Sequence, residues 1–182
     1  MLLFQVKVLP LDPRAQSAER QKTIKALSAL KLGAVICAEV YENAMNGFEN
    51  RLLVVTRQYD AKLDHICLAG IPELYATRPN YPKMSRLIER DVPVSEIARF
   101  NVIKEDEKIQ VYTKNGEMAE GRFYKANVEN GYPGLAKLEV VLIGGTKKKP
   151  LEEIIEISDV DAVKFPDRKP PQKEEFAPYE YR

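Results

Sequence analysis

The chain contains few histidines and cysteines, two residue types that are common in catalytic and metal-binding sites. Its 182 residues include one histidine, His65, and two cysteines, Cys37 and Cys67. A chain of this size with a good core needs no disulfide, so we expect both cysteines to be reduced core residues. No apolar run approaches the roughly 18 residues of a membrane span, and the N-terminus lacks the basic, apolar and small-residue order of a signal peptide. These absences predict a cytoplasmic protein that does not enter a membrane.

An excess of charge of one sign is also missing. The 28 Lys and Arg residues are balanced by 27 Asp and Glu residues, which leaves a net charge of +1. The molecule as a whole therefore has no field that would attract nucleic acid, and any such binding must come from a local patch. Hydrophobic residues make up 45% and charged residues 30% of the chain. This composition is typical of globular proteins, so we expect a folded body with disorder confined to the ends.

One sequence pattern occurs twice. Residues 92–102, VPVSEIARFNV, recur 63 residues later as residues 155–165, IEISDVDAVKF. Each copy predicts a short alternating strand, a tight turn at a serine-acid pair and a further strand, which is how many small β-barrels close. The repeat therefore predicts a mainly β fold made of two barrels or of one duplicated unit.

The first half is predicted to be an α+β region that closes on one small barrel. Residues 2–10 alternate as a strand, and residues 14–32 carry an apolar stripe with Leu27, Leu30 and Leu32, as in an amphipathic helix that Gly33 ends. The further predicted elements are strands at 34–41, 51–59 and 65–71, an excursion with three prolines over 72–90, and a short helix at 83–90.

The second half is predicted to be a small barrel of SH3 or Sm type. The dipeptide Asn115-Gly116 is a strong hairpin signal between strands at 109–114 and 117–128. A strand at 135–143 and the two strands of the second repeat copy complete the five strands that such a barrel needs. The predicted division of the chain is residues 1–103, residues 104–166 and an extended, proline-rich tail at 167–182.

The hairpin residues Lys114-Asn115-Gly116, followed by Gly121, Phe123, Ala126 and Asn127, resemble the first motif of Sm-like proteins. The resemblance covers about residues 107–165 and implies a turn at the first glycine and a curled strand at the second. In that family a basic residue and a glycine of the second motif help to hold a uridine, whereas the equivalent turn here reads ISDV at 157–160. The resemblance therefore implies the fold without the RNA binding, although Asn127 matches a loop region that contacts RNA in the family.

No residue pattern predicts catalysis, a metal or a cofactor. His65, Cys67 and Cys37 would supply three zinc ligands at most, without the usual Cys-x-x-Cys spacing, so ordinary packing is the preferred interpretation. The pairs Ser95-Glu96 and Ser158-Asp159 are expected to form turns in which the serine hydroxyl accepts a backbone hydrogen bond. The segment GGTK at 144–147 lacks the spacing of a phosphate-binding loop. We therefore predict a protein that is not an enzyme.

Two regions carry the tyrosine and arginine side chains that are enriched at protein interfaces, namely the 72–90 excursion and the tail. The predicted contacts with a protein partner or a further copy of the chain are Tyr75, Arg78, Tyr81, Arg86, Phe176, Tyr179 and Tyr181. The leading hypothesis is a non-catalytic binding or assembly protein whose small barrels present these residues.

The alternative hypothesis is an RNA-binding or single-stranded DNA-binding protein. Tyrosines that alternate with basic residues stack on unpaired bases and neutralise phosphates, and the N-terminal helix is basic as well. The predicted nucleic-acid contacts are Tyr75, Arg78, Tyr81, Lys83, Arg86, Arg90, Asn127, Lys147, Lys148 and Lys149. Glu73 and Glu89 lie within the same excursion and count against this alternative.

Overall fold

The fold was analysed in a computed structural model, which describes residues 13–42, 47–75, 84–131, 134–146, 148–169 and 175–176. These residues form one α-helix, eleven strands and two 3₁₀ turns. The elements are α1 (Pro13–Ser28), β1 (Val35–Glu42), β2 (Gly47–Asp60), β3 (His65–Tyr75), β4 (Met84–Pro93), a 3₁₀ turn (Val94–Glu96), β5 (Ile97–Ile103), β6 (Lys108–Thr113), β7 (Met118–Asn130), β8 (Leu135–Thr146), β9 (Lys149–Glu156), a 3₁₀ turn (Ile157–Asp159), β10 (Val160–Lys164) and β11 (Glu175–Phe176).

The strands form two antiparallel sheets with the same internal order. The first sheet runs β4-β3-β2-β1-β5, and the second runs β9-β8-β7-β6-β10, with the two-residue β11 added beside β10. In each sheet the first strand of the unit therefore pairs with both its second and its fifth strand. This topology confirms the prediction of a mainly β protein with an N-terminal helix and shows two antiparallel sheets in tandem. Among the described residues no strand pairing closes either sheet into the predicted barrel.

The repeated sequence pattern marks the same corner in both sheets. Each copy contains the end of the fourth strand, a 3₁₀ turn and the fifth strand, as predicted. The expected serine capping is not found, because the backbone closes both turns: Ile97 N–H donates to Val94 O, and Val160 N–H donates to Ile157 O. The single turn connects strands at opposite sides of one sheet, so both sheets must curl. The pairings among the described residues leave β4, β5, β9 and β11 as sheet edges.

Most element predictions in the first half are confirmed. Strands β1, β2 and β3 overlap the segments at 34–41, 51–59 and 65–71, and α1 overlaps the predicted helix at 14–32 but ends earlier, at Ser28. Leu27 and Leu30 are buried, whereas Leu32 lies beyond the helix end and is exposed. Gly33 has a positive φ of 79°, but it lies five residues after Ser28, the last residue of α1, in the turn that leads into β1. The prediction that Gly33 ends the helix is therefore wrong. The predicted strand at 2–10 lies outside the described residues.

The predicted short helix at 83–90 is wrong, because residues 84–90 belong to strand β4. Strand β3 continues past Pro72 to Tyr75, and Pro72 lies opposite Leu87 in the β3–β4 pairing. Leu87 packs against one core while its neighbour Ile88 packs against the other, which is the two-residue alternation of a strand. Pairing with β3 therefore overrides the helical interpretation, which rested on local sequence alone.

Buried hydrophobic side chains of the described residues form two cores. The helix-side core lies between α1 and one face of the first sheet. The shared core lies between the other face of that sheet and the second sheet, and it contains Val35, Cys37, Leu52, Val54, Ala69, Ile103, Ile109, Val111, Ala119, Phe123, Leu138, Val140, Leu142, Ile155, Ile157, Val160, Val163 and Phe165. On β1, Val35 and Cys37 enter the shared core, whereas Ile36 and Ala38 enter the helix-side core. The first sheet is thus buried on both faces, and its two sides pack against different partners.

Arg168, just after the second sheet's fifth strand, ties the two sheets together. Its guanidinium donates to both carboxylate oxygens of Glu107, at 2.7 and 2.9 Å, and to the carbonyl oxygen of Val102 in β5, at 2.6 Å. The same group stacks 3.8 Å from the ring centroid of Phe165. The Arg168 and Glu107 side chains are only 14% and 15% exposed. The ion pair therefore lies in a low-dielectric setting and fixes the connection between the sheets.

The Glu107 carboxylate is expected to make the fold sensitive to acid. Burial opposes its ionisation, but hydrogen bonds from Arg168 and from the Lys104 backbone N–H outweigh burial and lower its pKa. A carboxylate with a lowered pKa stabilises the fold above its unfolded pKa of about 4.3, and this stabilisation is lost as pH falls through the folded pKa. Glu107→Gln should lower the free energy of unfolding by about 2 kcal/mol at pH 7, and the difference from wild type should shrink below about pH 4.3.

Urea unfolding at pH 7 and pH 3.5 measures this effect. Glu105→Gln, at an exposed position in the same connection, is the control and should change the free energy of unfolding by less than about 0.5 kcal/mol at either pH. A Glu107→Gln deficit of equal size at both pH values would contradict the proposed role of the ionised carboxylate.

Candidate functional site

Two predicted contact arginines, Arg86 for a protein partner or nucleic acid and Arg90 for nucleic acid alone, make ion pairs within the first half of the chain. Arg86 lies in β4 and donates from Nε to Glu73 at 2.7 Å, and Arg90 donates to Glu96 at 2.7 Å. Each guanidinium therefore already has a carboxylate partner. Tyr75 is the last residue of β3. The remaining members of this predicted surface, Arg78, Tyr81 and Lys83, lie outside the described residues.

The predicted tail contacts fall only partly within the structure. Phe176 belongs to β11, whose backbone pairs with Val163 and Lys164 of β10. This stretch of the tail thus adds a short strand to the chain's own second sheet. Tyr179 and Tyr181 lie outside the described residues, so their predicted role stays a prediction.

The other predicted nucleic-acid contacts are separated from one another. Asn127 lies on β7 and donates to Glu139 at 3.1 Å. Lys148 and Lys149 are exposed where β8 turns into β9, and Lys147 lies outside the described residues. The amide of Asn127 is therefore already used within the second sheet.

The two cysteines occupy different surroundings. Cys37 packs in the shared core. The Cys67 thiol donates to Glu89 at 3.1 Å and accepts from Arg57 at 3.5 Å, and burial raises its pKa. A raised pKa keeps this thiol protonated and a poor nucleophile. The part of the chain that the structure describes contains no group of three or more His, Cys, Asp and Glu side chains arranged to hold a metal ion.

A concave surface with a volume of about 690 Å³ lies on the second sheet. One wall is the β6–β7 hairpin, and the other is the end of β9 with the following 3₁₀ turn. The lining residues are Thr113, Lys114, Asn115, Glu117, Met118, Ala119, Glu153, Ile154, Ile155, Glu156 and Asp159. Ala119 and Ile155 also belong to the shared core. We call this surface the β9 groove, and its base is continuous with the packed interior.

Hydrogen bonds between backbone groups and between backbone and side-chain groups hold the hairpin wall in place. The N–H of Lys114 donates to Asp159 O at 2.9 Å, and its Nζ donates to Ser158 O at 2.6 Å. Within the hairpin, Glu117 N–H donates to the side-chain oxygen of Asn115 at 3.2 Å, and Gly116 has the positive φ that the Asn-Gly signal predicts. The two walls are thus connected at the hairpin tip, so the groove is formed before any ligand enters.

Charge in the β9 groove is predominantly negative. The lining contains the carboxylates of Glu117, Glu153, Glu156 and Asp159, against the single ammonium of Lys114. Burial, together with repulsion from Glu139 and Asp159, raises the pKa of Glu156. Glu139 and Glu156 also lie directly opposite each other on β8 and β9. Like charges at paired positions repel, so a positively charged group beside them would be stabilised.

Strand β9 is an edge strand that offers apolar side chains to solvent. It pairs with β8 on one side only in the described part of the chain. Leu151 and Ile154 are 68% and 57% exposed, and Met118 across the groove is 51% exposed. An edge with unpaired backbone groups and exposed apolar side chains is a template for a further strand.

The strands around this groove follow from sequence patterns, but no sequence pattern predicts the groove itself. The residues of its walls lie about forty positions apart along the chain, and the Lys114–Ser158 hydrogen bond spans 44 residues. The one local signal was the mixture of glutamates with Leu151 and Ile154 in a strand that leads to the repeat. That mixture is typical of an edge strand, where apolar and charged side chains share a partly wet surface.

The helix α1 has 16 residues and a polar average composition, and within the described ranges no helix meets the length and hydropathy that a bilayer crossing requires. Searches against protein-family models, curated proteins and solved structures gave no match for this chain.

Proposed function

We propose that this chain is a non-catalytic binding or assembly protein whose partner is another protein. The observation that carries the proposal is the preformed β9 groove beside a strand edge that pairs with none of the described strands. Edge strands with apolar side chains bind extended segments through main-chain hydrogen bonds, while pockets beside the strand select the side chains.

We also propose that the two sheets are two copies of an Sm-like or SH3-like barrel unit. The shared strand order and the 3₁₀ turn between the fourth and fifth strands support this assignment. In such a unit the body is rigid and its loops and edges make the contacts. The predicted contacts in the 72–90 excursion and the tail belong to the same proposal as additional surfaces.

Affinity capture with the full chain as bait tests the proposed function. The bait is incubated with native extract, with and without nuclease, and the retained proteins are quantified by mass spectrometry against a tag-only control. We expect one or a few proteins to be retained equally in both samples. Recovery that disappears with nuclease would contradict a protein partner and favour RNA or single-stranded DNA, whose binding should also weaken steeply between about 50 and 200 mM salt.

A further inference from the structure

We propose that the β9 groove takes an extended, basic segment of a partner protein, which adds to β9 as a further strand. This inference rests on the proposed function and names the chemical class of the partner. The occupant we infer alternates lysine or arginine with apolar residues.

The charge of the lining determines the sign of the occupant. Four carboxylates face one ammonium, and the Lys114 ammonium already donates to Ser158 O. A segment with lysine or arginine side chains would place positive charge among Glu117, Glu153 and Asp159. Complementary charge of this kind accelerates association and excludes acidic competitors.

The apolar side chains determine the rest of the occupant's pattern. Ile154 on one wall and Met118 on the other are both more than half exposed, although they line a concave surface. Burial of apolar area stabilises by about 25 cal/mol per Å². Methionine adapts to ligands of different shape, so Met118 suits a groove that accepts aliphatic side chains. A strand that alternates basic and aliphatic residues satisfies both walls at once, because successive side chains point to opposite faces.

Strand addition explains the backbone geometry of the site. The β9 edge that faces away from β8 has no pairing partner among the described strands. An extended ligand would satisfy these backbone groups in the same way as β8 satisfies those on the other edge. Since the hairpin wall is held by the Lys114–Asp159 and Lys114–Ser158 bonds, the ligand finds an ordered site, which reduces the entropy cost of binding.

A second copy of this chain fits the groove less well. Its β9 would bring Glu152, Glu153 and Glu156 toward a surface that is already acidic. Lys149 is the only basic residue that it would contribute from this strand. Repulsion between like charges disfavours self-pairing, so a basic partner is the occupant that the charges favour.

Fluorescence anisotropy with labelled ten-residue peptides tests the inference on the full chain. The probe alternates lysine with valine, and two comparison peptides alternate lysine with serine and glutamate with valine. We expect the lysine-valine peptide to bind at least about tenfold more tightly than the lysine-serine peptide, a difference of about 1.4 kcal/mol. The glutamate-valine peptide should not bind.

Variants of exposed residues locate the site. Glu153→Lys and Ile154→Lys should each weaken the lysine-valine peptide at least about tenfold, since each places a positive charge in the groove. The matched controls are Glu129→Lys on exposed β7 and Leu63→Lys on the exposed β2–β3 turn, and both should leave binding within about twofold. Equal weakening in the controls would reveal non-specific attraction of charge and overturn the inference.

Hydrogen exchange tests the strand addition itself. Saturating lysine-valine peptide should slow amide exchange in residues 149–156, because edge amides gain hydrogen-bond partners. Unchanged exchange in β9 would overturn strand addition. A concentration-dependent dimer that Ile154→Lys abolishes would assign the groove to a second copy and would overturn the basic partner.

The capture experiment separates this inference from the proposed function. If the wild-type, Glu153→Lys and Ile154→Lys baits retained the same proteins, that result would support the proposed function and contradict the β9 groove as the binding site. Specific peptide binding without any retained protein would leave the groove chemistry standing and contradict the proposed function.

Discussion

Phe165→Ala should lower the free energy of unfolding by about 3–5 kcal/mol. Phe165 is 1% exposed and is among the largest fully buried side chains of the described chain. It lies in the shared core, so its truncation leaves a cavity between the two sheets. The ring also supports the Arg168 guanidinium at 3.8 Å, and this cation–π contact is lost as well. Both losses affect the connection between the sheets, which makes this the largest single-residue effect that we expect.

Urea unfolding followed by circular dichroism measures the change. Phe165→Leu keeps most of the apolar volume and should cost less than about 1.5 kcal/mol. Phe48→Ala is the matched control, because Phe48 is 45% exposed and makes an edge-to-face contact with Tyr41. It should cost about 1 kcal/mol. If Phe165→Ala cost no more than Phe48→Ala, the shared core would not stabilise the fold as we describe.

Gly70→Ala should lower the free energy of unfolding by about 2–4 kcal/mol. Gly70 lies in β3 with a φ of +109°, at the point where the pairing register with β4 shifts. An added Cβ would lie 3.0 Å from Leu52 O, 3.2 Å from Leu53 Cδ2 and 3.3 Å from Leu138 Cδ2. Leu138 belongs to β8 of the second sheet, so the methyl group would push on both the strand and the contact between sheets. Backbone strain and crowding therefore add at this position.

Gly33→Ala is the matched control for Gly70→Ala. Gly33 also has a positive φ, of 79°, but an added Cβ there would meet no atom within 4 Å. Only the backbone conformation is penalised, so the cost should be about 1 kcal/mol. Thermal and urea unfolding of both variants separate strain from crowding. If both variants lowered the free energy of unfolding equally, crowding against Leu52, Leu53 and Leu138 would not contribute to the effect of Gly70→Ala.

Local sequence signals were sufficient for much of this fold. The Asn115-Gly116 turn and the repeat corners depend on backbone preferences of a few neighbouring residues, and each was found where predicted. Strand β4 was mistaken for a helix because its conformation depends on pairing with β3, for example of Leu87 with Pro72. Strand pairing depends on residues that are distant along the chain, so a short segment of sequence gives little indication of it.

The candidate site depended even more on long-range structure. The sequence pointed to Arg86 and Arg90 as surface contacts, but ion pairs with Glu73 and Glu96 hold both guanidinium groups. Those pairs form across strands and turns whose proximity requires the folded sheet. The β9 groove likewise exists only when the hairpin at 113–119 meets residues 153–159. The sequence shows the apolar and acidic residues of one strand, but it does not show the surface that this strand forms with a distant hairpin.

The two units have the same topology and unequal surfaces. Strand β7 alternates exposed and buried side chains over most of its first half, which is sufficient for a sheet with one wet face. Strand β1 is buried almost continuously, because each face of its sheet packs on a different core. One apolar face of the first sheet is therefore buried only because the second sheet packs against it. If the two sheets exchanged places, that apolar face would be exposed to solvent.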